Sequence, residues 1–167
     1  MATIKLTNIG EIATHNSDTE TIDYIKNRDI LIKDGLIDKI ELNISRGYEI
    51  FDCQNRLITP GFVNPHTHPV FLNGREEEFG LRLQGATYQE IAEKGGGINS
   101  SINGVRNATV GELAKAVTKR MDRFLKLGTT TIEAKSGYGL DVESELKSLK
   151  VLDVVNKNHP IDIIPTF

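Results

Sequence analysis

A parallel α/β fold entered through a short all-β leader is what this sequence predicts. Two observations carry the expectation. Up to residue 59 the chain reads as short apolar strands and tight turns. After Pro60-Gly61, β-branched strand signals alternate with helical periodicity, the pattern of a parallel sheet covered by helices. The Pro-Gly pair itself punctuates the chain where the pattern changes.

The leader comes first. Ile4, Leu6 and Ile9 are apolar in a polar stretch, and Arg28-Asp-Ile-Leu-Ile-Lys33 is a strand signal. Asp34-Gly35 suits a two-residue hairpin turn, because Gly and Asp tolerate positive φ, and Leu36 to Glu41 returns as the second strand. Tyr48-Glu-Ile-Phe-Asp52 suggests another.

Beyond the boundary, Gly61 to Pro65 forms a short strand that runs into His66-Thr67-His68. Thr87-x-x-Glu90 is a capping box that opens a short helix, and Gly95-Gly-Gly97 stops it. Thr109-x-x-Glu112 opens a second helix, with Leu113, Ala116, Val117, Met121, Phe124 and Leu125 on one apolar face and Gly128 at its end. Thr129 to Lys135 is β-branched and reads as a strand. Ser136 to Asp141 is a loop, and Val142 to Asn156 a helix with Glu143 and Glu145 early, as the helix dipole prefers. Ile161-Asp-Ile-Ile is a third strand. A closed eight-stranded barrel takes roughly 250 residues, so the chain is expected to be one piece of a longer protein.

With 38% hydrophobic and 26% charged residues, the composition permits a packed core and argues against disorder. A net charge of −3 speaks against a nucleic-acid surface, which is usually basic. No apolar run is long enough to span a bilayer, and Met1-Ala-Thr-Ile-Lys-Leu6 lacks a secretory stretch. The one cysteine, Cys53, cannot form an internal disulfide and reads as a small packed residue. Together these features favour the cytoplasm.

His66-x-His68 is the strongest chemical feature. Residues i and i+2 of a strand share a side. Two imidazoles at a strand's C-terminal end can therefore hold one face of a transition metal. The bland alternative is two unrelated surface histidines. Arg75 can grip a carboxylate through its planar fork, or simply pair with Glu76, Glu77 or Glu78. Tyr138, between two glycines, offers a flat face and a hydroxyl to a heterocycle, or packs on a neighbouring helix. Gly95-Gly-Gly97 follows a helix rather than a strand, so phosphate-loop readings fail. His15 and His159 lack motif context and read as surface residues.

Pro60-Gly-Phe-Val-Asn-Pro-His-Thr-His68 after a β leader resembles the amidohydrolase superfamily. Within it, His66 to Phe79, Leu81 to Tyr88, Gly95 to Ile98 and Glu133-Ala-Lys-Ser-Gly-Tyr-Gly-Leu140 resemble the imidazolonepropionase family, from about residue 58 onward. Pro69 and Asn64 depart from that pattern, where an aliphatic residue and often an aspartate are expected.

The resemblance implies a (β/α)8 TIM-type barrel, with its first three strands in residues 60–167. Residues 1–59 would form part of a small composite β-sandwich domain. It implies His66 and His68 as ligands of one divalent or trivalent metal, zinc or iron, and Arg75 and Tyr138 as substrate-binding residues. It also implies hydrolysis of 4-imidazolone-5-propanoate to N-formimino-L-glutamate in histidine degradation, and a homodimer at full length. A third histidine ligand, a metal-bound aspartate, a glutamate acid/base and a further substrate histidine would lie beyond Phe167. No catalytic residue is then expected in the chain, and the isolated polypeptide is expected to be inactive. Some amidohydrolases bridge two metals with a carboxylated lysine, but on a later strand, so Lys135 is not given that role. The rival expectations are a different amidohydrolase, such as a nucleobase deaminase or a dihydropyrimidinase relative, and a non-catalytic module.

Overall fold

The computed structural model describes residues 3–45, 49–72, 74–93 and 95–167, in two compact units, Met1–Pro60 and Gly61–Phe167. Met1, Ala2, Tyr48 and Asn73, which figure in the sequence reading, lie outside the described residues.

The first unit is a five-stranded sheet built on β1 (Thr3–Asn16). β1 pairs antiparallel with β2 (Thr21–Ile25) and β3 (Asp29–Lys33), and parallel with β5 (Glu49–Ile58). β3 turns into β4 (Leu36–Glu41) through Asp34 and Gly35 at φ 53° and 82°, the pair of positive values that a two-residue hairpin needs. Strand β2 was not anticipated, although Ile22, Tyr24 and Ile25 are strand-favouring residues; it is short and largely exposed. Ile9, Ile12, Ile30 and Cys53 form a small buried cluster, and burial raises the Cys53 thiol pKa, which suits a packed, inert cysteine. Asp29 ties the unit together. Its carboxylate accepts from the Thr7 hydroxyl at 2.9 Å and the Ile44 N–H at 3.2 Å, and lies 3.1 Å from the Lys5 ammonium.

The second unit is a parallel sheet in the order β6 (Phe62–Thr67), β7 (Thr129–Lys135), β8 (Asp162–Thr166). Between β6 and β7 run α1 (Glu76–Leu83), α2 (Tyr88–Glu93), α3 (Ile98–Asn107) and α4 (Val110–Lys126); α5 (Val142–Asn156) joins β7 to β8. Both expected capping boxes form, Thr87 with Glu90 and Thr109 with Glu112. Leu113, Val117 and Met121 of α4 are fully buried with Ile132 and Ala134 of β7 and Val151, Leu152 and Val155 of α5. Each of these side chains except Ala134 contributes about 1.5–3 kcal/mol through burial. Among the described residues no helix is long and apolar enough to cross a membrane.

Four details correct the sequence reading. Helices α1 and α3 were not foreseen; α1 buries no residue, and α3, although Ile98, Ile102 and Val105 recur at helical spacing, is rich in Asn, Ser and Gly, which favour helices poorly. Gly95-Gly-Gly97 does not merely stop α2; Gly97, at φ 69°, is also the N-cap of α3. Leu125 is 37% exposed and stands off the apolar face of α4. The His159 side chain is only 5% exposed; its Nδ1 accepts from the Ile161 N–H at 3.1 Å, so it is a packed turn residue.

Candidate active site

Residue parity along β7 decides which side chains meet. Ile132 and Ala134 face the helices and are buried, so Thr131, Glu133 and Lys135 point to the opposite face. His66, near the end of β6, reaches that face, and its Nδ1 lies 3.4 Å from Glu133 Oε2. The rings of His66 and His68 stand edge to face with centroids 5.1 Å apart. The two imidazoles thus lie side by side, His66 within β6 and His68 just past its end. Asn64 contributes locally, since its side-chain oxygen accepts the His66 N–H at 3.1 Å. An aspartate could accept the same bond, so this departure from the family pattern leaves the backbone contact available.

Glu133 accepts the Thr166 hydroxyl of β8, while its second oxygen is buried without a hydrogen-bond partner among the described residues. The Thr166 bond foremost, with His66, Lys135 and the Thr67 N–H, outweighs burial and holds this carboxyl below its ordinary pKa. Sequence reasoning passed over Glu133, although the period of two along Thr129–Lys135 places it opposite the apolar face.

On the other side of the pair, Pro69 is fully buried. Arg120 of α4 donates to its carbonyl at 3.0 Å and to that of Phe71 at 2.8 Å, with the guanidinium 3.5 Å from the Phe71 ring centre. Tyr138 sits between these features, its ring centroid 5.7 Å from that of His68 and 6.0 Å from that of Phe71. It also packs against the apolar core, so the packing alternative and the proximity to His68 both describe it. Gly137 makes the approach possible: at φ 134°, a Cβ on it would come within 3.0 Å of the His68 ring. Arg75 is the exposed N-cap residue of α1. His68, Lys135, Gly137, Leu140 and Phe167 help to line an open recess of about 370 Å³, within the size range of small-molecule sites.

Two neighbouring imidazoles are suitable donors for zinc or iron. Among the described residues no group of three or more His, Cys, Asp or Glu side chains is placed to hold a metal ion. The donor type fits, and the count is part of a ligand set.

No protein-family model matches the chain. Among solved structures, 5-methylcytosine deaminase from Klebsiella pneumoniae liganded with 5-fluorocytosine superposes with a TM-score of 0.60 at 20% identity, over 96% of this chain and 35% of its own. A crystal structure described as an amidohydrolase gives 0.58 at 16% identity, over 99% and 31%. Guanine deaminase from C. acetobutylicum, with guanine in its active site, gives 0.55 at 19% identity, over 98% and 35%. At these identities the likeness shows the fold alone. The shared fold is a three-stranded parallel α/β sheet after a small β unit, about a third of each of those chains.

Curated relatives narrow this. Imidazolonepropionase of Bacillus cytotoxicus is 43% identical over 179 aligned positions, covering 100% of this chain and 42% of the relative. Imidazolonepropionase of Clostridium tetani is 45% identical over 157, covering 90% and 38%. Along its whole length, then, the chain matches the N-terminal portion of imidazolonepropionases. It spans about two fifths of the length of these relatives.

Proposed function

We propose that this chain is the N-terminal part of an enzyme that hydrolyses 4-imidazolone-5-propanoate to N-formimino-L-glutamate, a step of histidine degradation. The observation that carries the reading is the match at 43% identity through the entire chain. Residues 1–59 would belong to a small composite β-sandwich domain and residues 60–167 to the barrel. The exposed apolar side chains of the first unit, Leu36, Ile37, Ile50, Phe51 and Leu57, support a sheet that is covered in the whole protein.

The reaction adds water across a ring C–N bond and opens the cyclic amidine-amide. His66 and His68 would hold one zinc or iron ion together with ligands from outside this chain. When bound, the ion supplies the Lewis acid that activates the attacking water near neutral pH. Glu133, with Oε2 3.4 Å from His66 Nδ1, would help to orient the ring. Tyr138 presents a flat wall beside His68 for the planar ring, and Arg75 would take the propionate. Fixing the ring and tail in this way is an orientation effect. The protein is proposed to be a cytoplasmic homodimer that binds neither nucleic acid nor membrane.

The test is made on the protein at its full natural length. Imidazolone ring opening, with stoichiometric zinc or iron that disappears in a His66→Ala/His68→Ala variant, is the expected result. Faster turnover of a nucleobase than of the imidazolone would move the assignment to a deaminase. Absence of metal, with unchanged stability in the double variant, would point to a non-catalytic module. The 167-residue polypeptide alone is expected to be inactive, and metal-dependent ring opening by it would refute the proposed division of the site.

A further inference from the structure

Residues 136–141, which connect β7 to α5, carry Tyr138 and are gripped from two directions. Glu145, in the first turn of α5, is only 7% exposed. An early helical glutamate would ordinarily face solvent and serve the dipole. This one turns inward, and one carboxylate oxygen accepts the N–H groups of both Gly139 and Leu140 at 2.8 Å each. Arg106, near the end of α3, takes the other side of the same residue. Its Nε donates to the Gly139 carbonyl at 2.7 Å and lies 2.9 Å from Asp141 Oδ2. Asp141 in turn caps α5 by accepting the Ser144 N–H at 2.8 Å. Gly139 is thus held at its N–H by a buried carboxylate and at its carbonyl by a guanidinium.

The loop needs this restraint. Leu140 adopts φ 54°, a left-handed conformation that non-glycine residues rarely take. It is also the residue whose N–H Glu145 binds. A Cβ on Gly139 would come within 2.5 Å of the Ser144 side chain, so the loop backbone sits directly on α5. The Ser136 N–H is bonded to the Thr166 carbonyl at 3.0 Å, which pins the start of the loop to β8. Tyr138 lies between these anchors, two residues from Ser136 and one from Gly139. Burial pushes the Glu145 pKa up, but the bonds from Leu140, Ser136, Gly139 and Gly137 outweigh it and keep the carboxylate ionised.

We propose that Glu145 and Arg106 are positioning residues that, by clamping Gly139 from both sides, set Tyr138 against His68 as a wall of the substrate site. This rests on the functional reading above for the identity of the substrate, but the clamp itself can be tested without it.

Two measurements on the protein at its full natural length decide the matter. Hydrogen–deuterium exchange reads the clamp: in Glu145→Ala the amides of residues 137–141 should exchange about tenfold faster or more, whereas Glu145→Gln, whose side-chain oxygen can still accept both bonds, should stay close to wild type. Steady-state kinetics reads its purpose. Glu145→Ala and Tyr138→Ala should each lower kcat/KM, by about tenfold for Glu145→Ala. The double variant should be no worse than the worse single one, because both changes remove the same placement. Arg106→Ala, at a side chain 44% exposed, should show a smaller loss of the same kind and serves if Glu145→Ala fails to fold. Unchanged exchange in residues 137–141 would overturn the clamp. Faster exchange with multiplicative kinetic losses, or with unaltered kcat/KM, would show a purely structural contact and overturn the positioning role. A wild-type protein without imidazolone turnover would refute the functional reading instead, and the exchange result would then decide the clamp alone.

Discussion

Arg120→Ala tests how the segment after the histidine pair is held. The wild-type guanidinium donates to the Pro69 and Phe71 carbonyls and stacks on the Phe71 ring at 3.5 Å. A hydrogen bond from a charged donor contributes about 1.5–3 kcal/mol and a cation–π contact about 0.5–2. The simple sum is an upper bound, since Arg120 is only half-buried and water can reach part of what it leaves. About 3 kcal/mol is a fair expectation, roughly two orders of magnitude in the folding equilibrium. Arg120→Lys keeps the charge but loses the planar fork, and should cost about half as much. Urea unfolding of the full-length protein, with wild type, Arg120→Ala and Arg120→Lys compared at equal slope, measures it. If Arg120→Ala unfolds within about 0.5 kcal/mol of wild type, these contacts do not hold the segment and the reasoning fails.

Asp29→Asn should destabilise the first unit by about 1.5–3 kcal/mol near neutral pH, because its carboxylate is bonded to Thr7, Lys5 and Ile44. Burial raises the Asp29 pKa, but those three partners outweigh it and leave the folded value below the ordinary aspartate value. Its contribution is therefore complete above about pH 5 and lost as pH falls through the depressed folded value, so the wild-type advantage over Asp29→Asn should shrink in acid. A constant difference from pH 6 to pH 3 would contradict this. Gly137→Ala should displace the His68 ring and cut metal content in the full-length protein, since φ 134° and a 3.0 Å approach leave no room for a methyl group; wild-type metal binding in that variant would show that the close approach is not needed. Met121→Ala, at a fully buried position, should cost about 2–5 kcal/mol by calorimetry or denaturant. A loss under 1 kcal/mol would mean that the core collapses around the cavity.

What the sequence determined by itself was local. The Asp34-Gly35 hairpin, the capping boxes at Thr87 and Thr109, the β-branched run Thr129–Lys135 and the helix from Val142 are all readable because their signals lie within a few residues. The approach of His66 to His68 is equally local, since a strand repeats every two residues. Strand β2 and helices α1 and α3 went unread because β2 and α1 are short and α3 is rich in Asn, Ser and Gly, which favour helices poorly. The surroundings of the pair were decided by tertiary structure. Glu133 meets His66 because β6 and β7 pair in a register that sets Thr67 beside Ala134. Arg120 reaches the Pro69 and Phe71 carbonyls across about fifty residues of chain. Glu145 read only as a dipole-favoured acid; in the fold the loop lies over it with two N–H groups to satisfy. Spacing in sequence reports side-chain direction along one element; which elements lie side by side follows from burying their apolar faces together, and that is settled only in three dimensions.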